Sequence, residues 1–100
     1  MIVVSGFVEV DPADHAKAAE LMRTVAAATA EEEGSISYAF YADLETEGKF
    51  RVFEEWQDQA AIDAHFSSDH MATFMASLGE LTVKGTSIDR YEVSDKSKLM

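Results

Sequence analysis

The sequence contains no cysteine and no asparagine among its 100 residues, and only one proline. Without cysteine the protein has no disulfide bond, no thiolate nucleophile and no cysteine–zinc site. It also lacks a glycine-rich phosphate loop, a dinucleotide-binding fingerprint and a Gly-x-Ser-x-Gly motif. We therefore expect no cofactor, and any catalysis has to proceed without a recognisable nucleotide or flavin site.

Basic residues are scarce as well. Lysine and arginine together number 8, against 19 aspartates and glutamates, which gives a formal net charge of −11. Such a negative field repels nucleic acids and anionic lipids. The composition thus excludes nucleic-acid binding as an expected function and favours a neutral or small partner.

Long apolar runs are missing, since no stretch approaches the roughly 20 residues that a membrane span needs. Residues 1–10 have neither the basic region nor the cleavage signal of a secretory leader, so we expect a cytoplasmic protein with no membrane partner. The length suits one domain. We predict that this domain covers residues 1–93 and that a polar C-terminal tail occupies 94–100.

The hydrophobic pattern predicts alternating strands and helices joined by short connections. Asp11 and Pro12 mark the start of the first helix, which we expect to reach about residue 33, with Gly34 as a left-handed cap. A second helical region follows the cap Asp58, breaks at Ser67 and Ser68, and ends at Gly79. The predicted strands cover 2–10, 35–43, 49–57 and 81–93.

The predicted order, β-α-β-β-α-β, is that of an α+β domain with a ferredoxin-like fold. Two helices can cover only one face of a four-stranded sheet. Residues 2–10 and 35–43 nevertheless carry apolar side chains on both faces. A second copy of the chain is the simplest cover for the other face, so we predict a homodimer.

Three residues are candidates for catalysis. Trp56 ends the third strand, where an indole can stack on a flat substrate, although a core position is the alternative. His65 and His70 can act as bases near neutral pH, or can be packed and hydrogen-bonded. Their spacing of five residues differs from the i, i+4 pair of a helical zinc site, and we predict no metal site.

Acidic residues occur in two places that bear on a site. Alternation in the third strand predicts that either Glu54 or Glu55 points toward the helices. A buried carboxylate there would have a raised pKa, or would pair with Arg51 or Arg90. The run Glu31–Glu33 closes the first helix, and we interpret it as a solvated helix end without a functional role.

Aromatic and other apolar side chains could form the wall of a pocket for a flat ligand, although the core is the default position for each of them. The candidates for substrate binding, together with Glu54, are Tyr38, Phe40, Phe53 and Phe74.

Several segments together resemble the antibiotic biosynthesis monooxygenase family, and especially its small bacterial quinol monooxygenases. The first is Glu-Glu-Glu-Gly-Ser-Ile-Ser-Tyr at 31–38, which enters the second strand. Phe-Glu-Glu-Trp at 53–56 matches a Glu-x-Trp motif. The segments Ala-Ile-Asp-Ala-His at 61–65 and Ser-Ser-Asp-His-Met at 67–71 match the two histidine segments of the family. The resemblance extends over about residues 1–93.

This resemblance implies a dimeric α/β-barrel of ferredoxin-like subunits, with a pocket between sheet and helices. It implies cofactor-independent oxidation of a quinol-like or phenolic molecule by dioxygen. The protein would orient the substrate anion, exclude water and accept the proton. Trp56 would then stack on the ring, and His65 or His70 would take the proton.

The missing asparagine separates this chain from two branches of the family. Polyketide oxygenases use an asparagine before the tryptophan, where this chain has Phe50-Arg51-Val52-Phe53. Haem-degrading members use an asparagine and a histidine ligand near the position of Met75, so we expect no haem. Acid–base isomerisation of a small carbonyl compound and non-catalytic binding of a metabolite are the alternative functions.

Overall fold

The computed structural model describes residues 1–100, which form a four-stranded antiparallel sheet with the helices on one face. The order of strands across the sheet is β2-β3-β1-β4, which confirms the predicted α+β, ferredoxin-like fold. The strands are Ile2–Val10 (β1), Ser35–Ala42 (β2), Lys49–Trp56 (β3) and Val83–Glu92 (β4), and the helices are His15–Thr29 (α1), Gln59–Phe66 (α2) and Asp69–Leu78 (α3).

The first helix is shorter at both ends than the sequence predicted. Residues Pro12–Asp14 form a 3₁₀ turn, which begins where the Asp11 carboxylate accepts a hydrogen bond from the backbone of Ala13 at 2.9 Å. The helix ends at Thr29 because the chain must turn back into the sheet over residues 30–34. Gly34 has the predicted left-handed backbone, with a φ of 87°. It ends the turn over residues 30–34, however, and is therefore not the cap of α1.

The predicted break between the second and third helices is confirmed. Asp58 caps α2 by accepting from the backbone of Ala61 at 2.9 Å, and Ser68 caps α3 by accepting from Met71 at 3.3 Å. The break places His65 in the last turn of α2 and His70 in the first turn of α3. None of the helices has the length and hydrophobicity required to cross a bilayer.

The core lies between the sheet and the helices. Alternate residues of β1 and β3 point toward the helices, as the period of two predicts. The larger core cluster packs Val10 and Phe50 against Met22 and Val25 of α1. Each fully buried side chain of this size contributes about 1.5–3 kcal/mol to stability. A smaller cluster surrounds Trp56, and Tyr38 packs against both clusters.

Strand β4 is an exposed edge, since the helices cover the other strands but hardly cover this one. Its neighbour β1 carries Gly6, which lies opposite Ile88 in the sheet. A Cβ atom on Gly6 would lie 2.1 Å from the carbonyl oxygen of Ser87 and 2.4 Å from Cα of Ile88. The absence of a side chain at this position therefore allows β4 to pack closely on β1 and brings Ile88 to the helix-covered side.

We expect Gly6→Ala to lower the free energy of unfolding by about 1–3 kcal/mol, because the new methyl group meets backbone atoms that cannot rotate away. Gly85→Ala is the matched control, since a Cβ there meets nothing within 4 Å. Urea unfolding of the two variants measures the difference. Equal midpoints for both variants would show that β4 moves away from Gly6 at no cost.

Candidate active site

A cavity of about 200 Å³ lies between the sheet and helices α2 and α3. Most of its wall is apolar, and four side chains with polar groups interrupt it: Tyr38, Glu54, His65 and Thr86. Phe40 and Phe74 also belong to the wall, so the structure brings five of the predicted site residues together here. A mostly apolar cavity with a few convergent polar groups is typical of a small-molecule site.

His65 is held by a carboxylate that comes from a different part of the chain. Oxygen Oε2 of Glu32 lies 2.7 Å from Nδ1 of His65 and 2.7 Å from Nε2 of His70. The His65 side chain is only 2% exposed, and that of Glu32 is 14% exposed. Partial burial raises the pKa of Glu32, but the hydrogen bonds from His65 and His70 outweigh that effect, and the pKa is lowered overall.

This arrangement determines which nitrogen of His65 carries the proton. Since the ionised Glu32 can only accept, Nδ1 of His65 donates to it, and in the neutral ring Nε2 is then an acceptor. Nε2 makes no hydrogen bond within the protein, and it retains at most a small accessible surface, because the side chain is only 2% exposed. Because the ring borders the cavity, we place this free nitrogen on the cavity side.

Glu54 is a second carboxyl group at the cavity, and it is 8% exposed. Burial raises its pKa to about 7, while a 2.8 Å hydrogen bond from the indole nitrogen of Trp56 opposes the rise and the charge of Glu32 adds to it. The predicted alternative, pairing with Arg51 or Arg90, is wrong. Arg51 donates to Ser5, and Arg90 bonds Gln59 and Glu92.

Tyr38 contributes a hydroxyl group that stays protonated. Burial raises its pKa far above the ordinary value, and the nearby charges of Glu54 and Glu32 raise it further. Its ring centroid lies 5.4 Å from that of His65 and 5.7 Å from that of Phe40. A neutral phenol beside an accepting imidazole offers a donor and an acceptor to the same ligand.

Trp56 does not occupy the predicted position. Its side chain is completely buried against Ile2, Ala61 and Ile62, and it does not border the cavity. The prediction that it stacks on a substrate is therefore wrong for this structure, and the alternative of a core aromatic describes it correctly. Its contribution to the site is indirect, because its indole nitrogen holds Glu54.

Two further predicted residues lie outside the cavity. Phe53 is on the opposite face of the sheet, since it alternates along β3 with Val52 and Glu54, and it is 39% exposed there. His70 borders a groove between α1 and α3 and reaches only Glu32. Neither can contact a ligand in the cavity, although His70 contributes to holding the carboxylate that orients His65.

The role of Glu32 was not predicted from the sequence, where the run Glu31–Glu33 was interpreted as a solvated helix end. Glu31 and Glu33 are exposed, as expected for a solvated helix end, but Glu32 between them is not. One signal could have indicated it: three acids beyond the carboxyl end of a helix oppose the helix dipole. Such a run indicates that one of the acids has a cationic or hydrogen-bonding partner elsewhere in the chain, and His65 and His70 are residues of that kind.

The sequence profile of one family, antibiotic biosynthesis monooxygenase, matches residues 1–77. The chain belongs to the antibiotic biosynthesis monooxygenase family. The resemblance that the Glu-x-Trp motif and the two histidine segments indicated is thereby confirmed.

Relatives of this monooxygenase family member span nearly its whole length. The uncharacterised protein sll1783 of Synechocystis is 32% identical over 98% of this chain and 67% of its own. YcnE of Bacillus subtilis, a candidate monooxygenase, is 26% identical over 95% of this chain and 100% of its own. The crystal structure of a candidate antibiotic biosynthesis monooxygenase from Deinococcus radiodurans is 25% identical, covers 100% and 99% of the two chains, and superposes with a TM-score of 0.93.

We expect Glu54→Gln to change the pH dependence of stability. Since the pKa of Glu54 is about 7 in the folded chain and its ordinary value is 4.5, the folded state keeps a proton that the unfolded state releases. Wild-type stability should fall as pH rises from 4.5 through 7, by on the order of 3 kcal/mol relative to the variant. The glutamine can still accept from Trp56, so the packing is preserved.

Thermal or urea unfolding of both proteins between pH 4 and pH 8 measures this difference. Glu33→Gln serves as the control, because it removes one carboxylate from an exposed position in the same chain. A constant gap between wild type and Glu54→Gln across this range would contradict the raised pKa.

Proposed function

We propose that the cavity binds a neutral quinol-like or phenolic molecule and that the protein oxidises it with dioxygen, without a cofactor. The observation that carries this proposal is the Glu32–His65 pair at a mostly apolar cavity, because His65 borders the cavity and its Nδ1 is held by Glu32. Engineered apolar cavities of about 150 Å³ hold benzene, so a cavity of about 200 Å³ suits a substrate with few rings.

The first step is deprotonation. The substrate O–H bond breaks, its proton goes to Nε2 of His65, and the electron pair stays on the oxygen. Glu32 stabilises the imidazolium that forms, because its carboxylate already accepts from Nδ1. Glu32 is a positioning residue, since it does not border the cavity. The hydroxyl of Tyr38 is a donor for the aryl oxide.

The aryl oxide is electron-rich enough to pass one electron to dioxygen, and the two radicals then combine at a ring carbon. The His65 imidazolium returns its proton to the peroxide; loss of the ring C–H proton and cleavage of the O–O bond then leave one oxygen atom on the ring as a carbonyl and release the other as water. Overall, a phenol and one dioxygen molecule give a quinone and one water molecule. The apolar wall favours these steps because it excludes water from the aryl oxide and its intermediates.

The charges near the cavity favour a substrate that arrives neutral. Glu32 and Glu54 both lie at or beside the cavity, and the whole chain has a formal charge of −11. An anionic or phosphorylated compound is therefore repelled at long range and at the site. A neutral phenol avoids this repulsion while it binds, because its negative charge forms only when His65 takes the proton.

A second candidate function is isomerisation of a small carbonyl compound. The observation in its favour is the pair formed by Tyr38 and His65, a protonated phenol and an accepting imidazole on one cavity. Such a pair can polarise a carbonyl and remove a proton from the neighbouring carbon. This reaction consumes no dioxygen, so a single assay distinguishes the two functions.

Oxygen uptake with a panel of hydroquinones and dihydroxynaphthalenes, in the presence of a chelator, tests the proposed oxidation. We expect His65→Gln to lower kcat about 100-fold or more, because it removes the base. Glu32→Gln should lower kcat about tenfold or more with little change in KM, because it misorients the ring. Glu33→Gln should behave as wild type.

Full activity in His65→Gln would overturn the role of His65 as base. No uptake by the wild-type protein across the panel, together with turnover of a carbonyl compound, would favour isomerisation. Tight binding of the panel compounds without any turnover would indicate a metabolite-binding protein.

We also propose that the protein acts as a homodimer, as the sequence predicted. The sheet face opposite the helices carries several apolar and aromatic side chains. Tyr41, Phe53 and Tyr91 are 59%, 39% and 51% exposed on it, and Val3 and Phe7 are half-buried. Exposed apolar and aromatic side chains that share one sheet face are typical of an interface, and a two-fold contact would bury them against a second copy of the chain.

Sedimentation velocity tests the homodimer. Phe53→Glu should shift the protein from dimer to monomer, because it places a carboxylate in the middle of the proposed interface. Phe66→Glu is the matched control, since Phe66 is 65% exposed on the helix side. A monomeric wild-type protein, or a Phe53→Glu variant that remains dimeric, would contradict this proposal.

A further inference from the structure

We propose that Glu32, His65 and His70 form a binding site for a divalent transition-metal ion, with Zn²⁺ as the best-fitting ion. One ligand atom from each residue contributes, and the three atoms lie within 4.8 Å of one another. The sequence indicated no such site, because His65 and His70 alone do not have the spacing of a helical pair. Glu32 supplies the missing carboxylate from the turn between α1 and β2.

The distances are close to those that a metal ion requires. Ligand atoms that surround a tetrahedral zinc ion at about 2.1 Å are about 3.4 Å apart. In the structure Oε2 of Glu32 is 2.7 Å from each ring nitrogen. An ion that replaced the two shared protons would therefore require each ligand to move by less than about 1 Å.

The donor set also fits zinc. Imidazole nitrogens and a carboxylate oxygen are common zinc ligands, and three protein ligands leave a fourth position for water. The ligands come from three separate segments, the turn after α1, the end of α2 and the start of α3. An ion at this point would therefore cross-link segments that otherwise meet through packing and two hydrogen bonds.

The site is reachable from solvent without passing through the cavity. His70 is 28% exposed and borders the groove between α1 and α3, whereas the cavity is bordered by His65 and by neither Glu32 nor His70. The formal charge of −11 raises the local concentration of cations around the chain.

Calorimetric titration of the chelator-treated full-length protein with ZnCl₂ tests the site. We expect one ion per chain for wild type. Glu32→Gln and His70→Gln should each weaken binding at least about tenfold, because each removes one of three ligands. Glu33→Gln and His15→Gln are the controls, since they remove an acid and a histidine outside the cluster, and both should bind as wild type does.

Titration with Co²⁺ provides a second measurement that does not depend on activity. Visible ligand-field bands should develop to one equivalent in wild type and be lost in His70→Gln. His70 is the most exposed of the three ligands, so this variant is the one best suited to retain the fold, which circular dichroism checks. Absence of stoichiometric binding to wild type, or an affinity in Glu32→Gln and His70→Gln equal to that of wild type, would overturn the site.

The site has a consequence for catalysis that rests on the proposed function. A metal ion on Nδ1 of a neutral His65 leaves the only ring proton on Nε2. The nitrogen that faces the cavity then becomes a donor and cannot accept a proton from a phenol. Oxidation should accordingly decrease as zinc fills the site in wild type but not in His70→Gln. Because binding is measured without substrate, failure of the oxidase proposal leaves the zinc measurement unaffected.

Discussion

The geometry of the site depends on one carboxylate that two imidazole rings share. A histidine that is 98% buried, as the 2% exposure of His65 implies, would be costly without a partner for its Nδ1. Glu32 removes that cost and determines the tautomer at the same time. Because the hydrogen bonds are short and charge-assisted, they also orient the ring within the cavity wall. Glu32 does not border the cavity, but without it the accepting nitrogen of His65 would not be determined.

The two acids near the cavity differ because their surroundings differ. Hydrogen bonds from two histidines keep the pKa of Glu32 low, whereas burial with a single indole donor raises the pKa of Glu54 to about 7. Divergent pKa values of neighbouring acids are a recurrent feature of active sites. Here Glu32 stays ionised next to the His65 ring, whereas the charge of Glu54 at the cavity wall varies near neutral pH.

Local sequence patterns predicted the fold well. Alternation marked the strands, Asp58 is the expected cap, the helices separate at Ser67 and Ser68 as expected, and Gly34 has the expected left-handed backbone. The predicted end of α1 was wrong because helix propensity continues through the alanines and glutamates, whereas the fold requires a turn.

Five of the predicted site residues were found at the cavity: Tyr38, Phe40, Glu54, His65 and Phe74. The positions of Phe53 and Trp56 have identifiable reasons. Phe53 lies on the opposite face of the sheet from Glu54, because side chains alternate along a strand. How deeply the side chain of Trp56 is buried decides its role, and periodicity indicates only the face of the strand and not the burial. Glu32 was missed because it lies 33 positions from His65, and only the tertiary structure brings them together.

The turn over residues 30–34 has an evolutionary consequence. It is a short connection, held by backbone hydrogen bonds from Glu31 to Ala28, from Glu32 to Thr29 and from Ser35 to Glu32, and it ends in the left-handed Gly34. Gaining or losing one residue here would rotate the carboxylate away from both rings, even with every histidine retained. Assembly of the three-residue cluster in a homologue should therefore require the same length of this connection, and not only the same side chains.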